Sequence, residues 1–187
     1  MTRPLALLLL LVALPAAAQG VKAPETPLQT IAALPTEAAG WRRGGVTDFE
    51  PRPGGAGMGA AAEYRPAAGG PGVLTVYVYD RGLAGGATAA SLEAEMSQAV
   101  REIELVGPQR RYRVDARQPG PPVGQALRCE QFGLAFDGGN RADSFLCLGV
   151  VRSRFVKLRA TFPAGALEAE AQQVQALGGA VVAAIRQ

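Results

Sequence analysis

The stretch from Leu127 to Phe162 constrains the fold of this chain most, because it reads as three consecutive strands that carry both cysteines. With a period of two, Phe132, Leu134 and Phe136 fall on one face, and Cys129, Gln131 and Gly133 fall on the other. Asp137 to Asn140 is a cluster that tolerates positive φ, and an apolar run resumes from Ala142 to Val151, so the two runs read as a hairpin. If the cysteines are bonded to each other across it, parity selects the loop. A three-residue loop, Asp137 to Gly139, sets Phe136 opposite Asn140 and brings Cys129 opposite Cys147; a two-residue loop turns the two side chains to opposite faces. The bond therefore favours the odd loop, or a longer one with a bulge. Arg152 and Ser153 connect tightly to a third strand, in which Val156, Leu158, Ala160 and Phe162 alternate with Phe155, Lys157, Arg159 and Thr161. Pro163 and Gly165 end it.

The cysteines bear on the compartment as well. Residues 1–18 have a short basic end, an apolar run from Leu5 to Leu14 and a small-residue site at Ala16 to Ala18, the pattern of a secretory signal peptide cleaved after Ala18. The run is shorter than the ~20 residues of a membrane span, and nothing later approaches that length, so no span is expected after cleavage. A periplasmic or secreted address is oxidising, and there two cysteines form one disulfide, Cys129 to Cys147; free buried thiols are the alternative. The formal net charge is +3, and loss of Arg3 with the signal lowers it further. An excess that small in an exported chain points away from nucleic acid and permits only mild attraction to anionic envelope surfaces.

Residues 19–40 are Pro- and Ala-rich and read as a mostly irregular segment, in which Leu28, Ile31 and Leu34 form at most a turn or two of helix before Pro35. Residues 41–187 read as a single domain. Trp41 to Glu50, Gly57 to Arg65 and Val73 to Asp80 form a meander, the last with Leu74, Val76 and Val78 on one face and Thr75, Tyr77 and Tyr79 on the other. Thr88 or Ser91 caps a helix in which Leu92, Met96, Ala99, Ile103 and Val106 recur before Gly107 and Pro108. Gln109 to Gln118 is a strand with Tyr112, Val114 and Ala116 inward. Pro119 to Pro122 is a linker, and a C-terminal amphipathic helix carries Leu167, Ala171, Val174, Leu177, Val181 and Ile185. The expected fold is α+β: an antiparallel or mixed sheet of about six to seven strands with two amphipathic helices on one face, the Phe132 face.

The segments Leu34-Pro35, Gly40-Trp41, Tyr77 to Asp80, Ser144-x-Leu146-x-Leu148 and Phe155 to Arg159 resemble a type of small exported proteobacterial protein. The order of elements is similar to the Mog1/PsbP-like sandwich, in which helices pack on an antiparallel sheet. The resemblance implies a fold and a compartment, and transfers no catalytic residue.

The chain contains no histidine, which removes Ser-His-Asp and Cys-His catalysis and the commonest zinc ligand together. Gly82 to Gly86 lacks the Gly-Lys-Ser/Thr of a phosphate loop. Asp137, Asn140 and Asp143 flank a loop tip without the EF-hand pattern, and turn geometry accounts for them. No catalytic residue, metal site or cofactor is assigned. The candidate ligand face is the mixed side of the sheet, where Tyr77, Tyr79, Phe145, Lys157 and Arg159 are expected to project together, either open to an anionic ligand or covered by residues 19–40 with Trp41. The reading is a non-catalytic exported domain that binds an envelope component or a protein partner; a small carboxylate-dependent enzyme such as a hydrolase is the alternative.

Overall fold

A computed structural model describes residues 25–187. The signal-peptide assignment, residues 1–18, lies outside them. The first element is helix α1 (Pro27–Ala33), opened by a reciprocal cap in which the Thr26 side chain accepts from the Gln29 N–H and the Gln29 side chain accepts from the Thr26 N–H. A two-residue strand β1 (Glu37–Ala38) follows. The described part of the segment expected to be irregular, residues 25–40, thus contains regular structure, because capping chemistry and the burial of Ile31 and Leu34 sustain a helix too short to stand alone.

Strands β2 (Trp41–Asp48), β3 (Ala60–Pro66) and β4 (Val73–Tyr79) form the expected meander. Helix α2 (Ala89–Leu105) is capped by both residues named for the role, Thr88 and Ser91 hydrogen-bonding reciprocally. Strands β5 (Tyr112–Val123), β6 (Leu127–Phe136), β7 (Arg141–Val151) and β8 (Arg154–Pro163) come next, then helix α3 (Leu167–Arg186). The eight strands form one sheet in the order β1-β2-β3-β4-β8-β7-β6-β5, with every neighbouring pair antiparallel. β1 raises the count above the expected six to seven. A run of two residues is below what alternation can reveal.

The β6–β7 hairpin has the three-residue loop. The Phe136 N–H donates to the Asn140 carbonyl at 2.9 Å, Cys129 pairs with Cys147, and their sulfurs are bonded with Cα atoms 4.0 Å apart. Two expectations about β5 fail, each for its own reason. A bulge between Val114 and Ala116 reverses the alternation, so Ala116 is exposed and Arg117 lies opposite Phe132. The supposed linker Pro119 to Pro122 continues the strand, which prolines can do because β5 is an edge.

Helices α1 and α3 pack on one face of the sheet, over Leu74, Val76, Phe145, Cys147 and Leu158. Helix α2 packs on the other, over Phe132, Leu134, Leu146, Leu148 and Phe155. The two long helices therefore do not share the Phe132 face as expected; only α2 lies there. Strands β4 and β5 are parallel, with three strands between them, so α2 is a crossover that must span one face. Helix α3 leaves β8 on the face that remains.

Close packing of α3 explains one of its two glycines. A Cβ on Gly178 would lie 2.8 Å from Val123 and 2.9 Å from Leu158, whereas Gly179 has open space. Gly178→Ala is expected to lower stability by about 1 kcal/mol, overpacking outweighing the helix-propensity gain, and Gly179→Ala to raise it by about 0.5–1 kcal/mol, read by denaturant unfolding. Near the start of α3, Glu170 is 5% exposed and its Oε2 has no hydrogen-bond partner. Burial, then the nearby Asp143, push its carboxyl up to about 7 from 4.5. The folded state thus holds a proton that the unfolded chain releases, and stability should fall as pH rises from about 4.5 through 7. Glu170→Gln should flatten that fall, gaining on the order of 1–3 kcal/mol at pH 8 relative to its effect at pH 4.5.

Candidate functional site

Side chains of β4 and β8 alternate, and their pairing sets Thr75 beside Arg159, Tyr77 beside Lys157 and Tyr79 beside Phe155, all on the α2 face. Four of the five expected ligand-face residues are therefore on one surface. Phe145 is not. The two-residue turn at Arg152 and Ser153 pairs Val151 with Arg154, which puts Leu146 beside Arg159 and turns Phe145 into the opposite core against Phe162. The cover is also different from the one expected. Trp41 and the N-terminal segment lie on the Leu158 face, and α2 is what crosses the tyrosines.

The half of this face nearest the start of α2 is closed by a charged network. Glu95 is 7% exposed and accepts from the Tyr79 hydroxyl at 2.7 Å and from Arg81 Nη2 at 2.8 Å. Arg81 also reaches Glu102 at 3.2 Å, and Glu102 reaches Lys157 at 3.5 Å. Burial drives the Glu95 pKa upward, but its hydrogen bonds from Arg81 and Tyr79 and the neighbouring cations more than offset this and hold it below the ordinary value. Burial, then the bond to Glu95, raise the Tyr79 phenol. Burial lowers the Lys157 pKa against the pull of Glu102, and its ammonium sits 4.8 Å from the Tyr77 ring centroid. Tyr79 is consequently a structural residue, sealed in the network rather than presented to a ligand.

The other half is open. Between the C-terminal turns of α2 and the sheet lies a cavity of about 350 Å³, within the range of small-molecule sites. Ile103, Val106, Leu134 and Phe136 supply apolar lining; Thr75, Tyr77, Lys157, Arg159 and Thr161 supply polar groups from two adjacent strands, and Arg110 stands at the mouth. The Tyr112 hydroxyl donates to the Ile103 carbonyl at 2.6 Å and ties the last turns of α2 to β5. Arg159 lies over the Phe132 ring, 5.8 Å from its centroid. Its Nη1 is shielded from solvent, and among the described residues no carboxylate pairs with it and no acceptor meets Nη1. Burial pushes its guanidinium down to about 10, against the opposing pull of Tyr112 and Tyr77.

Thr75 and Thr161 were legible by parity with Tyr77 and Arg159; Arg110 and Glu102 were not, because only the path of α2 brings them to these strands. Among the described residues no group of three or more His, Cys, Asp or Glu could hold a metal ion. No described helix is long and apolar enough to cross a membrane.

No family model and no curated protein matches the sequence. Among solved structures the likenesses are distant. The chain is similar to cyanobacterial PsbP (CyanoP) from Synechocystis, at 11% identity over 75% of this chain and 80% of that one, with a TM-score of 0.46. It is also similar to the Ran-binding protein Mog1p of Saccharomyces cerevisiae, at 12% identity over 79% and 84% of the two chains, with a TM-score of 0.35.

The closed half and the open half depend on each other, since Glu95 anchors α2 where its later turns roof the cavity. Glu95→Ala leaves Tyr79 and Arg81 without their shared acceptor and is expected to cost about 2–4 kcal/mol. Glu63→Ala, which removes an exposed partner of Arg65, should cost under about 0.5 kcal/mol in the same thermal and denaturant assays.

Proposed function

We propose that this chain is an exported, non-catalytic domain that binds an anionic group of an envelope component or protein partner in the groove between α2 and strands β4 and β8. One observation carries the reading: among the described residues Arg159 is a recessed cation without a carboxylate partner, in a cavity where Lys157 is already matched by Glu102. Arg81 and Lys157 are balanced by Glu95 and Glu102, while Arg159 and Arg110 are left in excess. A desolvated charge without a counter-ion destabilises the fold, so its presence in a cavity favours an anion supplied from outside. The Cys129–Cys147 bond supports an oxidising, periplasmic or secreted address. A carboxylate enzyme is less well supported, because Glu95 and Glu102 are both committed to cations.

The reading predicts opposed effects on stability and binding. Arg159→Met keeps the side-chain stem over Phe132 and removes the unmatched charge. It is expected to raise the thermal midpoint, by about 1 kcal/mol or more in free energy, while abolishing retention of the mature protein on an anionic matrix or its copurifying partner. Loss of stability with unchanged retention would overturn the proposal.

A further inference from the structure

We infer that the ligand of this groove is a monocarboxylate carried on an apolar body, with its carboxylate on Arg159 and its body against the lining formed by Ile103, Val106, Leu134 and Phe136. The inference rests on the proposed anion-binding function and narrows it. Charge sets the headgroup. Among the described residues lining the cavity, Arg159 is the one recessed cation without a carboxylate partner, and Arg110 is exposed at the mouth, where water screens it. One desolvated positive charge compensates one negative charge; a phosphate dianion would bury a second charge without a partner. A planar guanidinium fork also matches a carboxylate in two parallel hydrogen bonds, and the hydroxyls of Thr75 and Thr161 flank it on the paired strands.

The lining sets the rest of the molecule. Free acetate would satisfy Arg159 and leave the apolar wall in water, whereas an aliphatic or aromatic tail removes that wall from solvent, with affinity growing with the apolar area covered. Lys157 adds no free charge to this end, being held between Glu102 and the Tyr77 ring.

The test is calorimetric titration of the mature protein with octanoate, 1-octanol, acetate, octyl phosphate and inorganic phosphate, repeated on Arg159→Gln and Arg159→Lys. Octanoate is expected to bind at least tenfold more tightly than octanol or acetate, to lose that advantage in Arg159→Gln, and to be weakened in Arg159→Lys, which keeps the charge without the fork. Thermal midpoints of both variants at or near that of the parent protein establish that they fold. A preference for octyl phosphate or inorganic phosphate that still requires Arg159 would overturn the carboxylate inference and leave the anion-binding function standing. Indifference of every anion to Arg159→Gln would overturn both.

Discussion

The register of β6, β7 and β8 is the constraint from which the rest of the structure follows. Two short turns set it: three residues at Asp137 to Gly139, two at Arg152 and Ser153. The disulfide holds the first pairing at Cys129 and Cys147, where a slip of one residue would turn every apolar side chain of a strand to the wrong face. With these pairings, Phe132, Leu146, Phe155, Lys157 and Arg159 share one face, and Cys129, Phe145, Leu158 and Ala160 share the other. The sheet thus has one face almost free of charge and one face carrying two cations on β8, one of its two central strands.

The two faces are covered in correspondingly different ways. On the apolar face α3 approaches closely enough that a Cβ at Gly178 would collide with Val123 and Leu158, and α1 with Trp41 fills the remainder. On the charged face α2 cannot pack by apolar contact alone, since Lys157 and Arg159 would lie beneath it with no counter-ion. Glu95 and Glu102, about two helical turns apart on that helix, match Lys157 and Arg81 along most of its length. Beyond Glu102 the inward positions are Ile103 and Val106, and no further acid turns toward Arg159. The cavity opens where the supply of carboxylates ends.

What was legible in the residues follows the same division. Strands with strong alternation, the caps Thr88 and Ser91 and the odd loop were readable because each depends on local chemistry within a few residues, and the bonded cysteines because one hairpin joins them. Elements shorter than a pattern, such as β1, were not. Tyr77, Lys157 and Arg159 were recognisable as companions because β4 and β8 each display their own parity. Phe145 was misplaced because joining the parities of two strands requires the turn register, and an error of one residue there exchanges the faces. Which face each helix takes depends on chain path: α2 has to span from β4 to the far edge at β5, a fact held in the strand order and in no single segment.

Arg159 shows most plainly why a candidate site needs both kinds of information. In the sequence it is one of a pair of cations alternating with core residues on a strand, indistinguishable from Lys157. In the fold the two diverge completely. Lys157 meets Glu102 and the Tyr77 ring, so its charge is spent within the protein, while Arg159 two residues on meets Phe132 and an opening. A methionine or leucine at that position would extend the apolar lining from Leu134 and Leu146 and spare the cost of a desolvated guanidinium. Removing that charge is therefore where the stability of the fold and the proposed anion binding are expected to diverge.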